Sequence, residues 1–311
     1  MPLKTLKVDT DETLTLEWRL HVKDYKLILD KKKCVGCEIC SLACPKEAIK
    51  LEKLEKTSDK QHVKVDIDLE KCNFCGICDV LCPFGAIRVT LNGEHLVSVV
   101  EKESFPELIR EITVDESKCP INCRECEDAC PLGLIKILRV TTDGKVVEDI
   151  DNLSDGEKAK LKVKVEIEID KCPCCGVCED KCPENAINVN RIFYGKMIIH
   201  EDKCPEGCKD CLEVCPTQAL YLSENGKVHV NEKFCVYCGA CKIVCPVKDA
   251  LEVERTSINH TPVRSGVWNK TLEKLTSPII VTKELKAKSS RRARESVEKR
   301  LGWKVGLHEQ E

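Results

Sequence analysis

Aromatic side chains are scarce in this chain, with 5 Phe, 4 Tyr and 3 Trp among 311 residues. A large aromatic-rich core is excluded at that content, so something other than ring packing must help hold the fold together. Long apolar runs are missing as well, and none approaches the roughly 18 residues that a membrane helix needs. The segment Met1–Asp9 lacks the apolar stretch of a signal peptide. These features predict a reducing, cytoplasmic setting without membrane insertion. The chain has no Gly-rich nucleotide loop, no Ser/His/Asp grouping and no pair among its seven histidines at ligand spacing. Catalysis by this chain alone is therefore not expected, and no catalytic residue is assigned.

Cysteine is what the chain has in excess: 25 residues. In a reducing compartment thiols stay unpaired, and grouped cysteines bind metal rather than each other, so a disulfide framework is the weaker reading. Four copies of a C-x2-C-x2-C-x3-C-P pattern and two copies with one extra residue account for 24 of the 25. The first three groups are Cys34, Cys37, Cys40 and Cys44; Cys72, Cys75, Cys78 and Cys82; and Cys119, Cys123, Cys126 and Cys130. The last three are Cys172, Cys175, Cys178 and Cys182; Cys204, Cys208, Cys211 and Cys215; and Cys235, Cys238, Cys241 and Cys245. A proline follows the fourth cysteine of every group and fixes the backbone there.

The flanks repeat with the cysteines. An acidic or amide residue stands a few positions before each group (Asp30, Asp68, Asp115, Asp170, Asp202, Asn231), and an apolar pair follows it, from Ala48-Ile49 to Ala250-Leu251. Between groups the chain alternates polar and β-branched residues at the strand period, as in Ile87–Leu91 and Lys162–Ile169. Asn92-Gly93, Asp143-Gly144 and Asn225-Gly226 are type I′ hairpin signals, and Tyr194-Gly195 is a weaker one. Each unit reads as strand, cysteine loop, short helix, strand.

The spacing resembles that of the bacterial ferredoxins with two iron–sulfur clusters, repeated in tandem as in the archaeal polyferredoxins, and the likeness runs from Lys33 to about Leu251. The resemblance implies six [4Fe-4S] clusters. In that pattern the first three cysteines of a motif hold one cluster and the fourth crosses to the partner's. Carried over, Cys34, Cys37 and Cys40 go with Cys82, and Cys72, Cys75 and Cys78 with Cys44. Cys119, Cys123 and Cys126 go with Cys182, and Cys172, Cys175 and Cys178 with Cys130. The last pair joins Cys204, Cys208 and Cys211 to Cys245, and Cys235, Cys238 and Cys241 to Cys215. This pairs motifs 1–2, 3–4 and 5–6. The other phase, 2–3 and 4–5, requires motifs 1 and 6 to meet across the whole chain, and the spacing leaves both open.

The fold implied is α+β: three tandem two-cluster ferredoxin-like domains at 27–92, 93–192 and 193–255, an N-terminal extension at 1–26 and a partner-docking tail at 256–311. The function implied is one-electron transfer along six centres in a row, and the partners are protein subunits of a larger anaerobic redox complex, with soluble ferredoxin as a further one. Formylmethanofuran dehydrogenase is the first host the resemblance suggests, and a hydrogenase or heterodisulfide reductase the second. Each oxidised cluster with its thiolates adds about −2 to the formal charge of −3, which disfavours nucleic acid as a partner.

Several residues depart from the repeat. Motifs 3 and 5 have three residues between their first two cysteines, Cys119-Pro-Ile-Asn-Cys123 and Cys204-Pro-Glu-Gly-Cys208. That spacing also occurs in radical enzymes that bind S-adenosylmethionine, but those need a barrel of about 200 residues, so a widened loop is the expectation. Zinc held by four cysteines is the alternative metal, though its sites show two separated pairs. Cys174 is spare and reads as a core thiol. Phe74 and Tyr237 share one slot and are expected to shield a cluster. Trp18, Trp268 and Trp303 lie outside the repeat as covers of its ends or docking anchors, and the basic run with Arg291, Arg292, Arg294, Lys299 and Arg300 reads as a solvated helix.

Overall fold

The computed structural model describes residues 3–54, 63–147 and 154–277. The chain begins with strands β1 (Lys4–Asp9), β2 (Thr13–Arg19) and β3 (Asp24–Asp30). Motif 1 follows, with α1 (Ile39–Ala43), then β4 (Ile49–Lys53) and β5 (Val63–Ile67). Motif 2 carries α2 (Ile77–Val80) and leads into β6 (Ile87–Leu91). After α3 (Ser98–Glu101) the plan recurs: β7 (Glu111–Val114), α4 (Glu125–Ala129), β8 (Ile135–Val140), α5 (Asp155–Lys158), β9 (Lys162–Ile167), α6 (Val177–Lys181) and β10 (Ile187–Asn190). It recurs once more as β11 (Phe193–Ile199), α7 (Asp210–Glu213), β12 (Leu220–Leu222), β13 (Val228–Val230), α8 (Ala240–Val244) and β14 (Leu251–Ile258), and α9 (Gly266–Thr276) closes the described chain.

In each of the three repeats the strand before the first motif pairs antiparallel with the strand after the second, as β3 with β6, β7 with β10 and β11 with β14. The inner two strands form a hairpin: β4 with β5, β8 with β9 and β12 with β13. Burial alternates along these strands, so one face of each meets the core. The cysteine helices are single turns of four or five residues, too short to be stable alone. Packing and the loops before them hold them in place. Among the described residues the sheets have two or four strands and none closes into a barrel.

The N-terminal extension adds β1 and β2 to the sheet of the first repeat, in the order β1-β2-β3-β6, because Leu14, Leu16, Leu27 and Leu29 bury one common face. The first part of the tail is likewise built in: Ser265 caps α9 by accepting from the Trp268 N–H, and Trp268 is 1% exposed against Phe105 and His260. Trp303 and the basic run at 291–300 lie outside the described residues.

The hairpin signals fared unevenly. Asn92-Gly93 has both residues at positive φ, 53° and 86°, as a type I′ turn requires. At Asp143-Gly144 and Asn225-Gly226 only the glycine is left-handed. Tyr194-Gly195 is no turn at all but a register shift inside β11, where a Cβ on Gly195 would come within 2.1 Å of the Glu254 carbonyl.

The three repeats do not follow one another in a row, as a linear relay would require. The first touches the third, where Glu38 next to motif 1 pairs with Lys242 at 3.0 Å and with the buried Arg255 at 3.3 Å. The second meets the first through Arg110 and the third through Arg191. Motifs 1 and 6 thus do meet across the chain, as neighbours between repeats, and the three repeats close a ring.

Candidate metal centres

Six backbone hydrogen bonds join the motifs in pairs. The residue four before the first cysteine of a motif donates its N–H to the carbonyl just past the Cys-Pro of the partner motif. The bonds are Asp30 to Ala86 at 2.8 Å, Asp68 to Ala48 at 2.8 Å, Asp115 to Ala186 at 2.8 Å, Glu168 to Leu134 at 2.9 Å, His200 to Ala250 at 2.9 Å and Asn231 to Ala219 at 2.7 Å. Each brings a fourth cysteine beside the first cysteine of its neighbour. In motifs 4 and 5 the equivalent residues are Glu168 and His200. Asp170 and Asp202, two residues later, sit in short 3-10 turns, which corrects the flank read from sequence.

The sulfurs gather accordingly. Cys34, Cys37 and Cys40 each face the charge of Cys82, and Cys72, Cys75 and Cys78 that of Cys44. Cys119 and Cys126 face Cys182, with Cys123 beside Cys119. Cys175 and Cys178 face Cys130 and Cys172. Cys204 and Cys211 face Cys245, with Cys208 beside Cys204, while Cys235, Cys238 and Cys241 face Cys215. The neighbours are those of the 1–2, 3–4, 5–6 phase. Two of the sets line apolar pockets: Cys44, Cys72, Cys75 and Cys78 line one, and Cys130, Cys172, Cys175 and Cys178 the other.

Local backbone geometry aims N–H groups at these sulfurs. The residue before the second cysteine is left-handed in all four C-x2-C loops: Gly36 at φ 68°, Phe74 at 54°, Cys174 at 55° and Tyr237 at 48°. Its N–H points at the first sulfur, on Cys34, Cys72, Cys172 and Cys235. Past each fourth cysteine a second left-handed residue recurs, at Glu47, Gly85, Gly133, Asn185, Gln218 and Asp249. In the first five motifs it turns the next N–H onto the fourth sulfur: Ala48 to Cys44 at 3.4 Å, Ala86 to Cys82 at 3.3 Å, Leu134 to Cys130 at 3.4 Å, Ala186 to Cys182 at 3.3 Å and Ala219 to Cys215 at 3.3 Å. Donors aimed at sulfur stabilise thiolate and stabilise added negative charge.

Without a cation these sets are electrostatically unfavourable. Burial pushes the Cys34 thiol up to about 11, with the charge of Cys82 adding to it. Burial first and neighbouring sulfurs second push Cys37, Cys40, Cys78, Cys238 and Cys241 well above the usual thiol range. Buried thiols of this kind ionise only beside a strong positive charge, which bound metal supplies. A mononuclear zinc site would need its sulfurs about 3.8 Å apart around one point. Among the described residues no three Cys, His, Asp or Glu side chains close in on such a point.

Comparison with known proteins agrees. Models of the 4Fe-4S dicluster domain match residues 33–86, 71–135, 118–186 and 196–263. A chain of the formate dehydrogenase–heterodisulfide reductase–formylmethanofuran dehydrogenase complex from Methanospirillum hungatei superposes with a TM-score of 0.74 at 30% identity, over 89% of this chain and 92% of that one. The chain belongs to the polyferredoxins. A polyferredoxin-like subunit of aliphatic sulfonate oxidoreductase from Pyrococcus furiosus is 40% identical over 91 residues, 25% of this chain and 51% of the relative. The polyferredoxin protein MvhB of Methanothermobacter marburgensis is 32% identical over 124 residues, 38% of this chain and 24% of the relative. The polyferredoxin thus spans between a quarter and about half of the length of these two curated relatives. Its domains are of the 4Fe-4S dicluster kind. Among the described residues no helix is long and apolar enough to cross a membrane.

The remaining sequence candidates fall into place around the sites. Phe74 is buried and packs with tilted rings at 5.1 Å from Trp18 and 6.1 Å from Tyr25, so the N-terminal hairpin covers the site formed by Cys44, Cys72, Cys75 and Cys78. Tyr237 is 3% exposed, beneath the Arg191 guanidinium. Cys174 is 1% exposed in the same slot and donates to the carbonyl of Cys172 at 3.8 Å, as a packed thiol rather than a member of any set. Sequence reasoning missed the arginines. Arg110 reaches the carbonyls of Cys82 and Cys172, Arg139 those of Ile121 and Cys123, Arg191 that of Cys235, and Arg255 those of Tyr237 and Cys238. Three of the four stand about one strand past a fourth cysteine, at Arg139, Arg191 and Arg255, a spacing that could have found them, whereas Arg110 has no such place in the repeat.

Proposed function

We propose that this polyferredoxin relays single electrons between protein subunits of an anaerobic cytoplasmic redox complex through six [4Fe-4S] clusters. Three two-motif units, 27–92, 93–192 and 193–255, would each hold two. The ligand sets are Cys34, Cys37, Cys40 and Cys82; Cys72, Cys75, Cys78 and Cys44; Cys119, Cys123, Cys126 and Cys182; Cys172, Cys175, Cys178 and Cys130; Cys204, Cys208, Cys211 and Cys245; and Cys235, Cys238, Cys241 and Cys215. The observation that carries this reading is the set of six cross-motif backbone bonds, which bring one fourth cysteine to each trio.

A cubane saturated by four thiolates has no open iron for substrate, so the chemistry it supplies is gain and loss of one electron. The protein's own contribution is to keep thiolates apart in a dry, donor-rich pocket and to hold neighbouring sites close. We assign formylmethanofuran dehydrogenase as the host, because the likeness to a chain of the complex that contains it covers nearly the full length of both chains. The same complex contains heterodisulfide reductase, which supports a second reading in which the chain serves that enzyme. A soluble ferredoxin is a further partner, donating electrons when reduced and accepting them when oxidised.

Oxygen-free purification with iron and sulfide analysis tests the relay. About 24 irons and 24 sulfides per chain are expected, and zinc in place of iron would overturn the reading. The proteins that co-purify under the same conditions identify the host, and recovery of heterodisulfide reductase without formylmethanofuran dehydrogenase would favour the second.

A further inference from the structure

Each of the three boundaries between units is bridged by an arginine that grips a cysteine loop through its carbonyls. Between the first and second units, Arg110 donates from Nη2 to the carbonyl of Cys82 at 2.9 Å and from Nε to that of Cys172 at 3.2 Å. Between the second and third, Arg191 donates to the carbonyls of Glu232 at 2.8 Å and Cys235 at 3.3 Å, and to that of Lys233. Between the third and first, Arg255 donates to the carbonyls of Tyr237 at 2.8 Å and Cys238 at 3.1 Å and pairs with Glu38. At that boundary the Cys238 sulfur faces the charge of Cys37. The set of trio 1 therefore meets trio 4 at the first boundary and trio 6 at the third.

Arg110 differs from Arg255 in one respect. Glu38 lies against Arg255 and offsets its charge, whereas among the described residues no carboxylate forms an ion pair with Arg110 or Arg191. An uncompensated guanidinium that is half-buried between two low-dielectric sites stabilises any negative charge added to either of them. Its two donors also fix the distance between the loops they hold.

We propose that Arg110 and Arg191 are positioning residues that make the meeting of trios 1, 4 and 6 an electron junction: Arg110 joins loops of two units, Arg191 ties the second unit to the loop of trio 6, and each raises the reduction potential of the iron sites it touches. Electrons entering any unit from a partner subunit would then pass one at a time to this junction before leaving by another unit, with no bond made or broken. The loops of trios 2 and 5 receive no such arginine among the described residues, so their sites stay at lower potential. The inference rests on the six-cluster reading.

The test uses the full chain purified without oxygen, with iron counted first and potentials then measured by titration followed by electron paramagnetic resonance. Arg110→Gln removes the charge and is expected to lower the midpoints of the two sites that hold Cys82 and Cys172. The expected change is about tenfold in their reduced-to-oxidised ratio at fixed potential, or about 59 mV for a one-electron couple. Arg110→Lys, which keeps the charge, should restore most of it. If Arg110→Gln sheds iron, Arg191→Gln reads the same effect at the second boundary, on the site that holds Cys235. Full iron content with all midpoints unmoved in the two Gln variants would overturn the junction and leave the relay standing. Absence of iron from the unmodified chain would instead overturn the relay itself.

Discussion

The four C-x2-C loops and the two C-x3-C loops solve one problem in opposite ways. In motifs 2, 4 and 6 the left-handed residue before the second cysteine turns a side chain inward, and Phe74, Cys174 and Tyr237 are buried. In motifs 3 and 5 a proline follows the first cysteine and the loop closes on itself, with the Cys123 N–H on the Pro120 carbonyl at 3.0 Å and the Cys208 N–H on that of Pro205 at 3.3 Å. That turn carries its side chains outward: Pro120, Asn122, Pro205, Glu206 and Gly207 are all exposed. One added residue therefore exchanges cover for access. Because tunnelling falls steeply with distance, the open loops are where a partner can come closest.

The comparison presumes that bound iron, rather than side-chain cover, holds both kinds of loop together. Metal binding to sites that are unformed in the open chain is folding free energy. Stripping iron with a chelator under anoxic conditions should abolish the cooperative melt followed by circular dichroism, since a chain with twelve aromatic residues has little else to replace it. A cooperative transition that survives iron removal would mean that the strands carry the fold unaided.

Cover itself should be worth less and should appear only where a side chain points inward. Phe74→Ala removes a ring packed on Trp18 and Tyr25 and is expected to cost about 3 kcal/mol in anaerobic denaturation, with the left-handed backbone unchanged. Asn122→Ala, in an open loop, should stay within about 0.5 kcal/mol of the unmodified chain. Equal losses at the two positions would erase the distinction between the loops.

Much of the site is legible in the sequence, because ligand spacing is local. Six Cys-Pro endings and their trios follow from counting, and the widened loops announce themselves by one residue. The crossed pairing came from resemblance, and the outer strand pairs explain it: β3 with β6, β7 with β10 and β11 with β14 carry the last motif of each unit back to the first. What stayed hidden depends on residues far apart in the chain. Glu38 and Arg255 are separated by 217 positions, and their meeting leaves no periodic trace. The same holds for Trp268, which looked as fit for a partner as for the core until α9 laid it against Phe105. Tyr194-Gly195 misled because a glycine that permits a bulge looks the same in sequence as one that permits a turn.

Cys174 gives the smallest and sharpest test, since its chemistry says ligand and its position says packing. It occupies the slot that holds glycine in motif 1, phenylalanine in motif 2 and tyrosine in motif 6, so the slot places no demand on a donor atom. Its thiol points at the Cys172 carbonyl, and hydrogen bonding from Cys174 lowers the Cys172 thiol from its ordinary range. Cys174→Ser keeps a donor of similar size there. Iron content should be unchanged, and stability should fall by no more than about 1 kcal/mol, the scale of a single altered hydrogen bond. Loss of about four irons would make Cys174 a ligand, and the shared slot would then no longer explain why covered loops tolerate such different side chains.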